Sequence, residues 1–115
     1  MGAVLLNSPT ESCAILQSAQ AVVAVAVIGT PVALGPMTTF FRKALIWPGQ
    51  GRTANTGTVF LGSSSVDDTQ NISAALAAGA APLQIDAPAG TKIPLGSIYL
   101  DALNANDGVT VMYWY

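Results

Sequence analysis

The C-terminal stretch SIYLDALNANDGVTVMYWY, from Ser97 to Tyr115, carries the strongest fold signal in the sequence. Its last part, Val109 to Tyr115, is largely apolar at both alternating sets of positions, as in a β-strand that is covered on both faces or by a partner subunit. Ser97 to Leu103 alternates in the manner of a second strand. Between them, Asp107-Gly108 favours a type I′ turn, because both positions tolerate a positive φ. The stretch predicts a β-hairpin.

Further short strands are predicted upstream of this hairpin. Ala44 to Trp47, Thr58 to Leu61 and Pro82 to Ala87 have strand patterns and are separated by turn signals. Ile72 to Ala78 is open to two interpretations. Its alanines and the following Gly79 are compatible with a short helix, whereas its place between two strands favours another strand, which we prefer.

The N-terminal third predicts two more strands, Ser12 to Ser18 and the β-branched run Ala21 to Ile28. Many short strands divided by turns are typical of a sandwich or a barrel. The sequence therefore predicts a single all-β domain over residues 1–115, an antiparallel β-sandwich of jelly-roll-like form.

The composition excludes several classes of function. Charged residues make up 9% of the chain, against roughly 25% in ordinary domains. The four Lys and Arg residues form no basic stripe, which argues against a nucleic-acid partner. The 51% hydrophobic content indicates a folded chain rather than a disordered one. The longest apolar run, Ala21 to Ile28, is much shorter than the roughly 20 residues of a membrane-spanning helix, so no membrane association is predicted.

Few residues are suited to catalysis. The chain has no histidine, which removes the Ser-His-Asp and Cys-His arrangements and imidazole metal ligands. Asp67 and Asp68 are adjacent, and neighbours on an extended chain point in opposite directions, so they predict a solvated turn rather than a catalytic pair. Cys13 lies in an apolar run and is expected to be a small core residue. We expect no enzyme, no catalytic residue, no metal and no cofactor.

The aromatic and β-branched residues are candidates for an interface instead. Rings near the C-terminus suit either a carbohydrate platform or an interface strand, and we favour the interface because flanking polar or basic groups are scarce. The apolar N-terminal run would be an aggregation hazard as an exposed edge and is expected to be covered in an assembly. The candidate interface residues are Val22, Val23, Val25, Val27, Trp47, Tyr99, Tyr113, Trp114 and Tyr115.

Five segments between Arg42 and Tyr115 carry a resemblance to a known class of proteins. They are Lys43-Ala-Leu-Ile-Trp-Pro-Gly49, Asn55-Thr-Gly-Thr-Val-Phe-Leu-Gly62, Leu83-Gln-Ile-Asp-Ala-Pro88, Ile98-Tyr-Leu-Asp-Ala102 and Gly108-Val-Thr-Val-Met-Tyr113. In their order and in their pattern of strand and turn they resemble the small virion structural proteins of tailed bacteriophages. Among these, the capsid decoration or cement proteins are the nearest functional type.

The resemblance implies a β-sandwich or jelly-roll protein without enzymatic activity. Such a protein would be made in the host cytoplasm and bind as a dimer or trimer to the outside of the major capsid protein lattice, where it bridges capsomers. The apolar N-terminal third, residues 1–35, has no part in the resemblance, and an oligomerisation or capsid-binding segment is one interpretation of it. A tail, collar or head-fibre component is an alternative within the virion, and a carbohydrate-binding β-sandwich module is an alternative outside it.

Overall fold

The structure is a computed structural model and describes residues 18–115, which form β-strands and one short 3-10 helix. The elements are β1 (Ser18–Ala24), β2 (Val32–Ala33), β3 (Phe40–Phe41), β4 (Lys43–Pro48), β5 (Val59–Gly62), β6 (Ile72–Leu76), β7 (Leu83–Asp86), β8 (Ile93–Pro94), the 3-10 helix (Leu95–Ser97), β9 (Tyr99–Ala102) and β10 (Gly108–Trp114).

The predicted all-β fold is confirmed. In most strands the side chains alternate between buried and more exposed positions, as expected. Along β10, Val109 and Val111 are fully buried while Thr110 and Met112 between them are half-buried. The strands predicted around β4, β5, β7 and β9 are all present. The ambiguous segment after Asn71 is the strand β6 rather than a helix.

Within residues 18–115 the pairing of the strands is nested, from β1 and β10 inwards. β1 pairs with β10, β2 with β9, β3 with β8, β4 with β7 and β5 with β6, all antiparallel. Two further pairings, β10 with β4 and β5 with β9, join four of these ribbons into two four-stranded sheets. β3 and β8 form a separate two-stranded sheet. The first sheet has the order β1-β10-β4-β7 and the second β2-β9-β5-β6. A long hairpin rolled up in this way is a jelly roll.

The hydrophobic core lies between the two sheets. Ile46 and Val111 contribute to it from the first sheet, and Leu61 and Leu100 from the second. All four are exposed by 2% or less. Each sheet therefore has one buried face, as a sandwich requires.

Only part of the predicted N-terminal structure falls within the described residues. The predicted strand Ser12 to Ser18 lies outside them except for its last residue. The second predicted strand, Ala21 to Ile28, is shifted, because β1 begins at Ser18 and ends at Ala24. β1 pairs with β10 along its whole length and is thus an integral strand of the first sheet.

The predicted hairpin between β9 and β10 is wrong. β9 belongs to the second sheet and β10 to the first, so the connection from Leu103 to Asp107 crosses from one sheet to the other. The positive φ in this connection falls on Asn106, at 69°, and Asp107-Gly108 forms no type I′ turn.

Asp107 is buried because it holds the neighbouring loop in place. Its carboxylate accepts hydrogen bonds from the backbone N–H of Thr56 at 2.9 Å and of Gly57 at 2.8 Å. The amide of Asn55 makes a paired contact with Gly108, donating to its carbonyl at 2.8 Å and accepting from its N–H at 2.9 Å. The Asn55–Gly108 contacts are buried and the Asp107 contacts are partly buried, so they supply partners to backbone groups that are shielded from water.

Replacement of Asp107 by alanine is expected to lower the free energy of unfolding by about 2–3 kcal/mol, because it leaves the N–H groups of Thr56 and Gly57 without acceptors. Chemical denaturation followed by tryptophan fluorescence measures this loss. Asp68→Ala is the matched control, since Asp68 is exposed and its removal should change stability by no more than about 0.5 kcal/mol. Equal stability of the two variants would contradict the anchoring role of Asp107.

Candidate interaction surface

The first sheet has one surface that points away from the core, and mainly apolar side chains occupy it. Thr110 of β10 lies on it between Val22 and Trp47, and its hydroxyl hydrogen-bonds Gly49 and Gly51. We call this surface the apolar face; its members are Val22, Leu45, Trp47, Met112 and Trp114. They alternate with inward-facing residues along β1, β4 and β10, so all five point outward. Val22 is 52% exposed and the other four are half-buried.

Strand register brings charges to one corner of the apolar face and keeps its centre neutral. Lys43 lies opposite Trp114 on one side and Asp86 on the other. The Lys43 ammonium is 5.6 Å from the centroid of the Trp114 ring, close enough to be attracted to its electron-rich face. Lys43 and Asp86 are the charged residues of the four strands in this sheet.

This arrangement has the chemistry of a protein-binding surface. The buried centres of protein interfaces are enriched in aromatic residues and methionine and depleted in charge, with a polar rim. On the apolar face, Gln20 and Gln84 supply polar neighbours at the rim, in register with Met112 and Leu45. A partner of matching shape would bury the two tryptophans.

The two C-terminal tyrosines belong to a different surface, because strand alternation turns Tyr113 away from Trp114. Together with Phe40 and Lys92 they line an open cleft of about 450 Å³, which we call the tyrosine cleft. The ring centroids of Tyr113 and Tyr115 are 6.1 Å apart. Arg42 donates a hydrogen bond to the main-chain oxygen of Tyr115 at 3.0 Å and so helps to hold this residue at the cleft.

A second cavity, of about 410 Å³, is lined by residues of β6 and β7, which are edge strands of the second and the first sheet. Its lining is mainly apolar, with Leu83 and Ile85 from β7, and also includes Ser63, Ser73 and Ser97. The lining holds no acidic or basic side chain, so this cavity suits an apolar group and offers no acid–base chemistry.

The nine predicted interface residues fall on several separate parts of the molecule. Val22, Trp47 and Trp114 share the apolar face, whereas Tyr113 and Tyr115 share the tyrosine cleft. Tyr99 is half-buried on the second sheet, and Val27 is 62% exposed on the loop after β1.

The other two predicted interface residues point into the sandwich. Val23 packs against the core and Val25 is completely buried. Conversely, Leu45 and Met112 belong to the apolar face and were not predicted. The signal was present in the sequence, because each lies two residues from a tryptophan on the same strand and so shares its direction.

Most acidic side chains of the described region accept hydrogen bonds from nearby backbone or side-chain groups. Asp67 forms the predicted solvated turn: the backbone N–H and the hydroxyl of Thr69 donate to its carboxylate, each at 2.8 Å. These hydrogen bonds hold the pKa of Asp67 below its ordinary value. Asp101 is 1% exposed and accepts a hydrogen bond from the N–H of Gly29 at 3.1 Å. Among residues 18–115, no three His, Cys, Asp or Glu side chains converge in a way that would hold a metal ion.

Comparisons with protein-family models, with curated proteins and with solved structures find no match. Within the described part of the chain, no helix has the length and apolar character needed to cross a bilayer.

Proposed function

We propose that the chain is a non-enzymatic virion structural protein of the capsid decoration type. It binds the outside of a major capsid protein lattice and stabilises the head by bridging capsomers. The observation that carries the proposal is the apolar face, an aromatic- and methionine-containing surface whose charges are confined to one corner.

Two further features support this proposal. The jelly roll is a fold that viral capsid proteins use, although lectins share it, so that the fold alone does not decide the function. The whole chain carries four basic and six acidic residues. A surface with so few charges is better suited to lasting contact with protein than to electrostatic capture of a charged ligand. The work of such a protein is the burial of surface between subunits.

Co-sedimentation with expanded heads, assembled from the major capsid protein of the same genome, tests the proposal. We expect the protein to bind and Met112→Lys to weaken binding by about 30-fold or more, because it places an ammonium at the centre of the apolar face. Ala78→Lys is the matched control, since Ala78 is exposed in the turn after β6. Far-ultraviolet circular dichroism checks that both variants fold.

The possible outcomes separate the alternatives. If the wild-type protein leaves heads unbound, decoration is overturned, and binding to purified tails would instead support a tail, collar or head-fibre component. If Met112→Lys binds heads as tightly as Ala78→Lys, the capsid contact does not use the apolar face.

A carbohydrate-binding module is the second candidate, because Trp47 and Trp114 lie on the same exposed sheet face. Indole rings on a flat β-sheet are suitable platforms for sugar rings. The neighbouring tyrosines do not contribute, since Tyr113 and Tyr115 line the tyrosine cleft. Titration with a glycan panel, followed by tryptophan fluorescence, distinguishes the candidates. A saturable change would favour the carbohydrate module, whereas the decoration proposal predicts none.

A further inference from the structure

The four outer strands of the two sheets differ in how their free edges are protected. Proteins block exposed edges with short strands, charge, proline or bulges, because an open edge pairs with other chains. In the second sheet, β2 has two residues and follows Pro31, and the pairing of β6 with β5 is interrupted by a register shift at Leu61 and Gly62. In the first sheet, β7 lies between Pro82 and Pro88 and ends with Asp86.

β1 has none of these protective features. It is seven residues long, carries no charge and no proline, and continues without a bulge along β10. Its sequence, SAQAVVA, contains the β-branched residues Val22 and Val23, which favour extended structure. Among the edges formed by residues 18–115, β1 is thus the one best suited to pair with another strand.

The hydrogen-bonding pattern shows which backbone groups of β1 are free to pair. Just beyond the strand, the N–H of Val25 donates to the carbonyl of Asp107 at 2.9 Å, so the odd-numbered residues face β10. In an antiparallel pair the direction alternates with each residue. The N–H and C=O groups of Gln20, Val22 and Ala24 therefore point to the free edge, and no residue of 18–115 pairs with them.

We propose that β1 pairs with β1 of a second copy of this chain, antiparallel and centred on Val22. In this register Val22 faces its own counterpart and Gln20 faces Ala24, which gives about six interchain hydrogen bonds. The two first sheets become one continuous sheet, and the two apolar faces join across the Val22 pair. This inference concerns the edge of the sheet and does not depend on what the apolar face binds.

A second copy is the occupant that the edge itself favours. Two identical strands that pair antiparallel are related by a two-fold axis. The same contact therefore provides hydrogen-bond partners for both free edges, and the assembly closes at two chains. β1 carries no charge that would repel its copy, and the Val22 pair joins β-branched side chains directly across the new ladder.

Light scattering on the full chain tests the pairing through Val22→Pro. Proline removes the outward N–H and blocks the approaching strand, while the ladder to β10 keeps its hydrogen bonds because these use odd-numbered residues. We expect the wild type to have the mass of a dimer and Val22→Pro that of a monomer, with a dissociation constant raised by about 100-fold or more. Val22→Thr is the control that keeps both the N–H and the β-branched shape, and it should remain a dimer.

Amide hydrogen exchange on the wild type provides a second measurement in case Val22→Pro fails to fold. Protection of the amides of Gln20, Val22 and Ala24 should rise with protein concentration. A monomeric or trimeric wild type would overturn the proposal. Protection that does not change with concentration would also overturn it, because the edge would then be covered by residues of the same chain.

Discussion

Val25→Asp is expected to lower the free energy of unfolding by about 3–5 kcal/mol, a large share of the roughly 5–15 kcal/mol that stabilises a typical domain. Val25 has no exposed surface and belongs to the main core cluster. It lies directly after β1, and its backbone pairs with Asn106 and Asp107. An aspartate here places a charged group among apolar side chains with no cationic partner, and this is among the most destabilising changes available to a core.

Two control variants show whether the buried charge causes the loss of stability in Val25→Asp. Val27→Asp makes the same chemical change two residues away, where the side chain is 62% exposed, and should alter stability by no more than about 0.5 kcal/mol. Val25→Ala removes only packing and should cost about 2 kcal/mol. Burial raises the pKa of the introduced carboxyl above its unfolded value, so the deficit of Val25→Asp should shrink as the pH falls and the carboxyl becomes neutral. A melting temperature for Val25→Asp like that of Val27→Asp would show that this position is exposed in solution.

The strands could be predicted from the sequence because their signal is local. Alternation of apolar and polar side chains along Ala44 to Trp47 or Val109 to Tyr115 depends only on the period of an extended chain. Ile72 to Ala78 is ambiguous at this level, because its alanines suit a helix as well as a strand. The segment becomes a strand because β5 pairs with it and supplies hydrogen-bond partners to its backbone in the second sheet.

Pairing between strands could not be predicted in the same way, because it depends on residues distant in the chain. Asp107-Gly108, in the short connection between β9 and β10, has the local pattern of a hairpin turn. In the structure, Asp107 instead holds Thr56 and Gly57, which are about fifty residues away in sequence. These contacts direct the chain from one sheet to the other, and no pattern within Ser97 to Tyr115 reveals them.

The candidate interface could be predicted only in part, because grouping residues by type ignores which side of a strand they lie on. Grouping aromatic and β-branched residues by type joins Trp114 with Tyr113 and Tyr115, although alternation places them on opposite sides of the strand. Applying the same alternation to β4 and β10 groups Leu45 and Met112 with the two tryptophans. By contrast, the neutral centre of the apolar face can be recognised only once the strand register is known. The pairing of Lys43 with Asp86 places the charges at one corner.

Gly108→Ala is expected to lower the free energy of unfolding by about 3 kcal/mol, measured by denaturant titration. A Cβ atom at this position would overlap the carbonyl oxygen of Val23 and lie 2.8 Å from Cα of Ala24. Both atoms are backbone of β1, which pairs with β10 at this point, so neither strand can move aside without breaking the ladder.

Glycine is required at position 108 because a side chain has no room there, and not because of the backbone conformation. A control variant separates these two effects. Gly79 has a φ of 77°, and a Cβ atom added there would have no neighbouring atom within 4 Å. Gly79→Ala should therefore cost only about 1 kcal/mol, which is the conformational penalty of a positive φ. Gly108 has no such φ, so a loss for Gly108→Ala no larger than that for Gly79→Ala would show that β1 and β10 do not approach so closely. A larger loss would confirm that the close approach of the first and last strands of the roll requires a residue without a side chain.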